Sequence, residues 1–306
     1  MDRRKQEIIN ASWISIIGNA LLSALKISVG MIAGSLAVVG DGIDSATDIV
    51  TSLITLITAR ILSKPPDMKF PYGYERADPI ATKALSFVIF FAGAQLGIFT
   101  ISRIIGGKPT ELPSMLAIYI TVASIIGKLF LTWHQFRIGR RTQSSMLIAN
   151  AKNMQNDILI SLTVLTGLIF TFTLNIPLLD TITALAVSLW IIKTAFQIFF
   201  QTNLELMDGV RNPDIYKNVF AAIDSVDGVH NPHRLRIRKL GTMFILDIDI
   251  EVEGSLTVQE SHEIAHRVES KIRGTVSNIY DMVIHIEPVG DINKEERFGV
   301  SRKDLE

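Results

Sequence analysis

The chain has 306 residues, 48% of them hydrophobic, with 30 basic and 30 acidic side chains that cancel and no cysteine. The missing cysteines exclude disulfides and thiolate metal sites, and the lack of a basic patch argues against a nucleic-acid partner. Charge is unevenly spread: long stretches are nearly charge-free and the last third is rich in charge, so a membrane part precedes a soluble part.

The charged N-terminal segment MDRRKQEIINASW leads into an apolar stretch without a small-residue cleavage site. That stretch reads as a retained helix, not a signal peptide. A membrane span needs about 20 mostly apolar residues. Windows near 11–33, 36–62, 79–106, 113–136, 146–174 and 177–203 meet this. Lys26 and Lys128 fall inside the first and fourth, where a lysine either faces the bundle interior or snorkels. Six such helices in water would leave too little polar surface, so the lipid bilayer is their solvent. Arg3, Arg4, Lys5, Lys64, Lys69, Arg76, Arg137, Arg140 and Arg141 gather on one side and only Lys108 on the other. This bias places both termini in the cytoplasm.

After Met207 the pattern changes. Ile215, Val219, Phe220 and Ile223 have helical spacing, and Phe244, Leu246, Ile248, Ile250 and Val252 alternate as in a half-buried strand. Residues 257–273 predict a second helix and 279–287 a further strand. The fold class is therefore an α-helical membrane protein with six transmembrane helices plus a small cytoplasmic α+β domain. Its order is α-β-β-α-β, ferredoxin-like and metallochaperone-like. The expected division is 1–206 for the membrane domain, 207–290 for the cytoplasmic α+β domain, and 291–306 for a tail.

In VVGDGIDSATDIV, Asp41, Asp44 and Asp48 share one helical face of an apolar segment. A carboxylate in a span costs roughly 2.5–3.5 kcal/mol even on lenient scales, so it marks function by default. Asp44 and Asp48, at i and i+4, bring two oxygen donors to one cation. The fifth helix repeats that spacing with Asn153 and Asp157 in NAKNMQND, preceded by Asn150. Interhelical polar contacts are the alternative reading for each residue alone. Two pairs of equal spacing on separate helices favour a four-ligand site. Asp41 and Asp180 lie nearer helix ends, where facing water or bracing a helix accounts for them.

These residues carry a resemblance. The chain is similar to the cation diffusion facilitator family of proton-coupled divalent-metal exporters. The likeness rests on GSLAVVGDGIDSATD, KPPDMKFPYGYERAD, NxxxD in the fifth helix, LMDG after the sixth and the terminal VIHIEP. The resemblance implies a homodimer in a plasma (inner) membrane, no enzymatic activity, no cofactor beyond the transported ion, and protons as counter-ion. By position it implies a transport site of Asp44, Asp48, Asn153 and Asp157. Zinc-transporting members usually supply a His, commonly where Asn153 stands. An all-oxygen set suits a harder ion such as Mn²⁺, with Zn²⁺, Fe²⁺ and Co²⁺ as alternatives. Many members bind an accessory metal with two His around the loop after the second helix. Here Phe70 and Tyr74 stand there, although Asp67 remains, so that site is expected to be missing. Arg76 and Asp208 match a charge pair that joins membrane and cytoplasmic parts.

Five of the six histidines follow residue 229. His285 and Glu287 share a strand face, as do Asp247, Asp249 and Glu251. His262 and His266 form an i, i+4 pair on a helix. The resemblance implies a cytoplasmic metal site of His233, Asp249, His262, His285 and Glu287, with Asp249 replacing a usual His. His134 reads as structural. A metal sensor that no longer transports is the alternative from another class. Both membrane pairs retain their donors, which argues against it. No nucleophile–base pair or phosphate cradle supports an enzyme.

Overall fold

The computed structural model describes residues 3–62, 64–106, 111–142, 144–210, 212–241, 243–290 and 298–305. Six long helices come first: α1 (Arg3–Ala33), α2 (Leu36–Leu62), α3 (Ala77–Ile105), α4 (Leu116–Thr142), α5 (Ser145–Leu174) and α6 (Leu178–Leu206). An α+β segment follows: α7 (Asp214–Asp224), β1 (His230–Leu240), β2 (Met243–Val252), α8 (Val258–Thr275) and β3 (Ile279–Pro288). Two compact units result, 1–60 with 81–199 and 61–80 with 200–306.

In the first unit the apolar runs become helices because only a helix satisfies its own backbone in lipid. Among the described residues, five helices are long and apolar enough to cross a membrane: Glu7–Ala33, Ala77–Ile105, Leu116–Thr142, Asn150–Leu174 and Leu178–Leu206. α2 has the length, at 27 residues, and carries the three carboxylates. α1 starts well before the apolar window, and α4 runs six residues beyond its expected end at 136, to Thr142. The end of an apolar run marks where polar solvation begins, not where helical hydrogen bonding stops. Arg137 accordingly lies 5.3 Å from the Trp133 ring centroid, a cation–π contact suited to that boundary.

Small residues let the helices approach. A Cβ on Gly18 of α1 would sit 2.8 Å from Leu131 of α4, and one on Gly127 of α4 would sit 3.0 Å from Leu22 of α1. The reciprocal glycine–leucine fit is how packing holds helices together in lipid. The α1–α2 turn needs the left-handed backbone of Gly34, at φ +71°. α5 opens on Ser144, whose side chain accepts from the Leu147 N–H, and closes on Asn175 in the left-handed region.

In the second unit the sheet order is β1-β2-β3. β1 and β2 pair antiparallel, with His233 opposite Asp249. β2 and β3 pair parallel, with Asp249 opposite His285 and Glu251 opposite Glu287. Leu246, Ile248, Ile250 and Val252 pack against Val219, Phe220 and Ile223 of α7 and Ile264, Val268 and Ile272 of α8. Each such side chain contributes about 1.5–3 kcal/mol by leaving water. α8 begins with a capping box between Thr257 and Glu260. The alternation of β2 predicts one face in water. Instead Asp249 and Glu251, on the face away from that core, are 3% and 7% exposed. A central strand flanked by β1 and β3 leaves that face lined by neighbouring side chains.

Candidate metal centres

The first centre lies between α1, α2 and α5. Asp48, Asn150, Asn153 and Asp157 line a cavity of about 70 Å³ with Ser15 and Asn19. One water needs roughly 10–15 Å³ of such space, so the cavity has room for an ion together with several of its waters. Asp48 and Asp157 meet through their side chains. Two carboxylates do this only with a proton or cation between them. Asn153 is exposed and Asp48 half-buried, so the cavity reaches the surface of the protomer there. Asp44 is buried one helical turn away, and it is not among the lining residues. The structure therefore brings three of the four expected ligands to one cavity, with Asp44 in the layer behind.

Two lysines complete the charge pattern. Lys26 is fully buried and pairs with Asp41 at 2.8 Å. It also donates to Ser161 Oγ at 2.9 Å, and Ser161 donates to Asp41 Oδ1 at 2.9 Å. Lys128, equally buried, pairs with Asp157 Oδ2 at 2.9 Å. Both lysines point inward and neither snorkels. Asp41 does not face water; it is the closed partner of Lys26. Asp180 braces a helix other than its own: it accepts from Ser35 Oγ at 2.5 Å and from the Leu36 N–H at 2.9 Å, capping α2.

Ser15 and Asn19 were not expected at a site. Their signal was present, since Ser15, Asn19 and Ser23 repeat the i, i+4 spacing along α1 and Lys26 continues the face. Ser15 gathers this end of the bundle, accepting from Asn19 Nδ2 at 3.4 Å and from Asn150 Nδ2 at 3.3 Å.

The second centre is buried on the face of the sheet away from α7 and α8. One ligand atom each from His233, Asp249 and Glu287 lies within 4.8 Å of the others. Irregular register on both sides of His233 turns its ring to the cluster. Its Nδ1 sits 2.7 Å from the Asn231 carbonyl oxygen, which leaves Nε2 for the cluster, 3.4 Å from Glu287 Oε2. Arg234 holds Asp249 Oδ2 at 2.7 Å, so a metal would take the other oxygen or displace the guanidinium. His285 stands at the margin, 62% exposed, with Nε2 3.4 Å from Glu287 Oε1. His262 lies outside the cluster within one chain: its Nε2 is 3.0 Å from Nε2 of His266 on the exposed face of α8. Nearby Glu251 accepts from Asn231 Nδ2 at 2.5 Å and from the Gly290 N–H at 3.2 Å. The Asn231 amide holds the Glu251 carboxyl below its ordinary range.

In the loop after α2 the Asp67 carboxylate is taken up by local donors. Asp67 accepts from the Tyr74 hydroxyl at 2.6 Å and from the N–H groups of Lys69 and Phe70. These donors hold its acid below the usual range, the Tyr74 hydroxyl foremost. Phe70 and Tyr74 pack in a tilted pair with ring centroids 4.7 Å apart. Arg76 pairs with Asp208 and also donates to the Glu205 carbonyl. Both partners belong to the second unit, so this pair ties the α2–α3 connection to the end of α6. His134 on α4 is half-buried and lies outside both centres.

The model of the cation efflux transmembrane domain matches residues 12–207, and that of the cation efflux protein cytoplasmic domain matches 212–289. The manganese efflux system protein MneS of Bacillus subtilis is 32% identical over 282 residues, covering 92% of this chain and 95% of its own. An uncharacterized transporter of Methanocaldococcus jannaschii is 31% identical over 288 residues, covering 93% and 99%. Magnetosome protein MamB of Magnetospira is 28% identical over 277 residues, covering 90% and 94%. Oxygen donors converging in a bundle of apolar helices, and family models spanning both units, lead to one conclusion: the chain belongs to the cation diffusion facilitator family, multi-pass membrane transporters of metal cations and not enzymes.

Proposed function

We propose that the protein exports divalent transition-metal cations from the cytoplasm in exchange for protons, with Mn²⁺ as its principal cargo. Asp48, Asn153 and Asp157 bind the ion and Asp44 supports them from the adjacent turn. The observation that carries this reading is the cavity in which those three residues meet with oxygen donors and no imidazole. Carboxylate and carbonyl oxygens suit Mn²⁺, whereas imidazole would favour zinc. The manganese efflux protein MneS, similar along nearly its whole length, supports the same cargo. Three neighbouring carboxylates among apolar helices do not all ionise without a cation. Metal and proton therefore compete for the same oxygens, which is sufficient for exchange as the helices rock.

In this reading both termini are cytoplasmic, the membrane is the plasma (inner) membrane, and the protein works as a homodimer. His233, Asp249 and Glu287 form the cytoplasmic metal site, with His285 at its margin and His262 joining from the partner or only in the loaded state. Metal there shifts the population toward a tighter dimer. The test is flux into reconstituted vesicles under a proton gradient with Mn²⁺, Fe²⁺, Co²⁺ and Zn²⁺. Mn²⁺ flux should lead, vanish in Asp157→Ala and give way to Zn²⁺ in Asn153→His. Undiminished export by Asp157→Ala would overturn the site, and preferred Zn²⁺ flux by the unaltered protein would overturn the cargo.

A further inference from the structure

Lys128 lies within the apolar length of α4 and is fully buried. An ammonium in such a place costs several kcal/mol unless a carboxylate answers it. Asp157 does so through Oδ2 at 2.9 Å, yet Asp157 also lines the cavity with Asp48. The Lys26–Asp41 pair shows what a purely structural pair looks like here. Its side chains are 0% and 1% exposed, and Ser161 closes it off. The Asp157 side chain, by contrast, is 12% exposed, shared between the ammonium and the cavity.

Charge counting sharpens the contrast. Among the described residues, the acidic and basic side chains buried in this part of the bundle are Lys26, Asp41, Asp44, Lys128 and Asp157, with Asp48 half-buried beside them. Lys26 cancels Asp41. Asp44, Asp48 and Asp157 then face Lys128, so three negative charges meet one positive and two remain. One divalent cation neutralises that remainder. Asn153, a neutral donor, leaves the balance intact where an aspartate would break it.

We infer that Lys128 is the resident counter-ion of the transport site: it stays on Asp157 Oδ2, leaves the other oxygen to the cargo, and sets the site to the charge of one divalent ion. It is a positioning and specificity-determining residue, and this role rests on the assignment of Asp48, Asn153 and Asp157 to transport. An over-charged site would hold its cargo too well. Tighter ground-state binding lowers KM without raising the maximal rate, and a transported ion must also leave.

The experiment uses full-length protein in vesicles, with Mn²⁺ flux as a function of concentration and Tb³⁺ as a trivalent inhibitor. Asp157→Ala is run first; if it transports normally, the site assignment fails, separately from the role of Lys128. With Asp157→Ala silent, Lys128→Gln should show a KM about tenfold lower and a maximal rate reduced about tenfold. Inhibition by Tb³⁺ should strengthen by more than Mn²⁺ binding does, because a third carboxylate is now uncompensated. A lysine that only braced α4 against α5 would, when removed, lower the maximal rate and leave KM and the Tb³⁺ preference unmoved; that result overturns the inference. Asn153→Asp reaches the same net charge at an exposed position without touching Lys128. It should share both shifts, and it reads even where Lys128→Gln fails to elute as a folded dimer. Wild-type KM and Tb³⁺ inhibition in Asn153→Asp would equally overturn the inference.

Discussion

Lys26 offers the sharpest test of how the membrane unit holds its charges. Its ammonium is 0% exposed, sits 2.8 Å from Asp41 and donates to Ser161 at 2.9 Å. Lys26→Met removes one partner and strands the Asp41 carboxylate, itself 1% exposed. Breaking a buried pair in this way costs about 3–5 kcal/mol. Replacing both partners, as Lys26→Met with Asp41→Leu, removes the stranded charge and should recover most of that loss, since apolar substitutes for a buried pair are often neutral. The assay is a double-mutant cycle on unfolding in mixed detergent, read by tryptophan fluorescence. The coupling energy should be large and favourable to the pair. Additive costs in the two single variants, or a cost below about 1 kcal/mol for Lys26→Met, would refute the reasoning. Because the pair is neutral, the double variant should also keep the wild-type KM for Mn²⁺, which vesicle flux measures.

Three further outcomes are expected. Asp180→Ala removes the acceptor for Ser35 and the Leu36 N–H and should cost about 1–2 kcal/mol, the usual loss for a helix cap; the same unfolding assay measures it, and an unchanged midpoint would dismiss the cap. Ile272→Ala empties a fully buried position in the core under α8 and should destabilise the second unit by about 2–5 kcal/mol, seen as a lower melting temperature; a near-neutral result would mean the core collapses around the gap. Glu251 supplies a pH dependence. Its folded carboxyl lies below the ordinary 4.5, the Asn231 amide being the first cause, so folding binds fewer protons at this site. That stabilisation is present above the ordinary value and is lost as pH falls through it toward the folded value. The melting-temperature gap between wild type and Glu251→Gln should therefore hold steady above the ordinary 4.5 and narrow as pH falls below it, and a gap that stays constant there would contradict the assigned cause.

The apolar runs and their lengths determine the six helices, because a continuous run of about 20 apolar residues satisfies its backbone in lipid only as a helix. The i, i+4 spacings of Asp44 with Asp48 and of Asn153 with Asp157 are equally local, so they are legible before any folding. So is the α-β-β-α-β order, since periods of 3.6 and 2 need no partner to be recognised. Periodicity names a face but not what the face meets. That Lys26 answers Asp41 while Lys128 answers Asp157 depends on how four helices rotate and pack. Asp180 capping α2 across 144 residues has the same origin. Ser15 and Asn19 enter the cavity only because α1 packs beside α5. In the second unit, His233 and Glu287 meet through strand register and the irregular pairing of β1, whereas the neighbours His262 and His266 were visible from spacing alone. Sequence determined which groups are too costly to bury without a purpose. The tertiary structure decided which charge each one meets, because the energy of a buried charge is set by its partner at 3 Å and not by its neighbours along the chain.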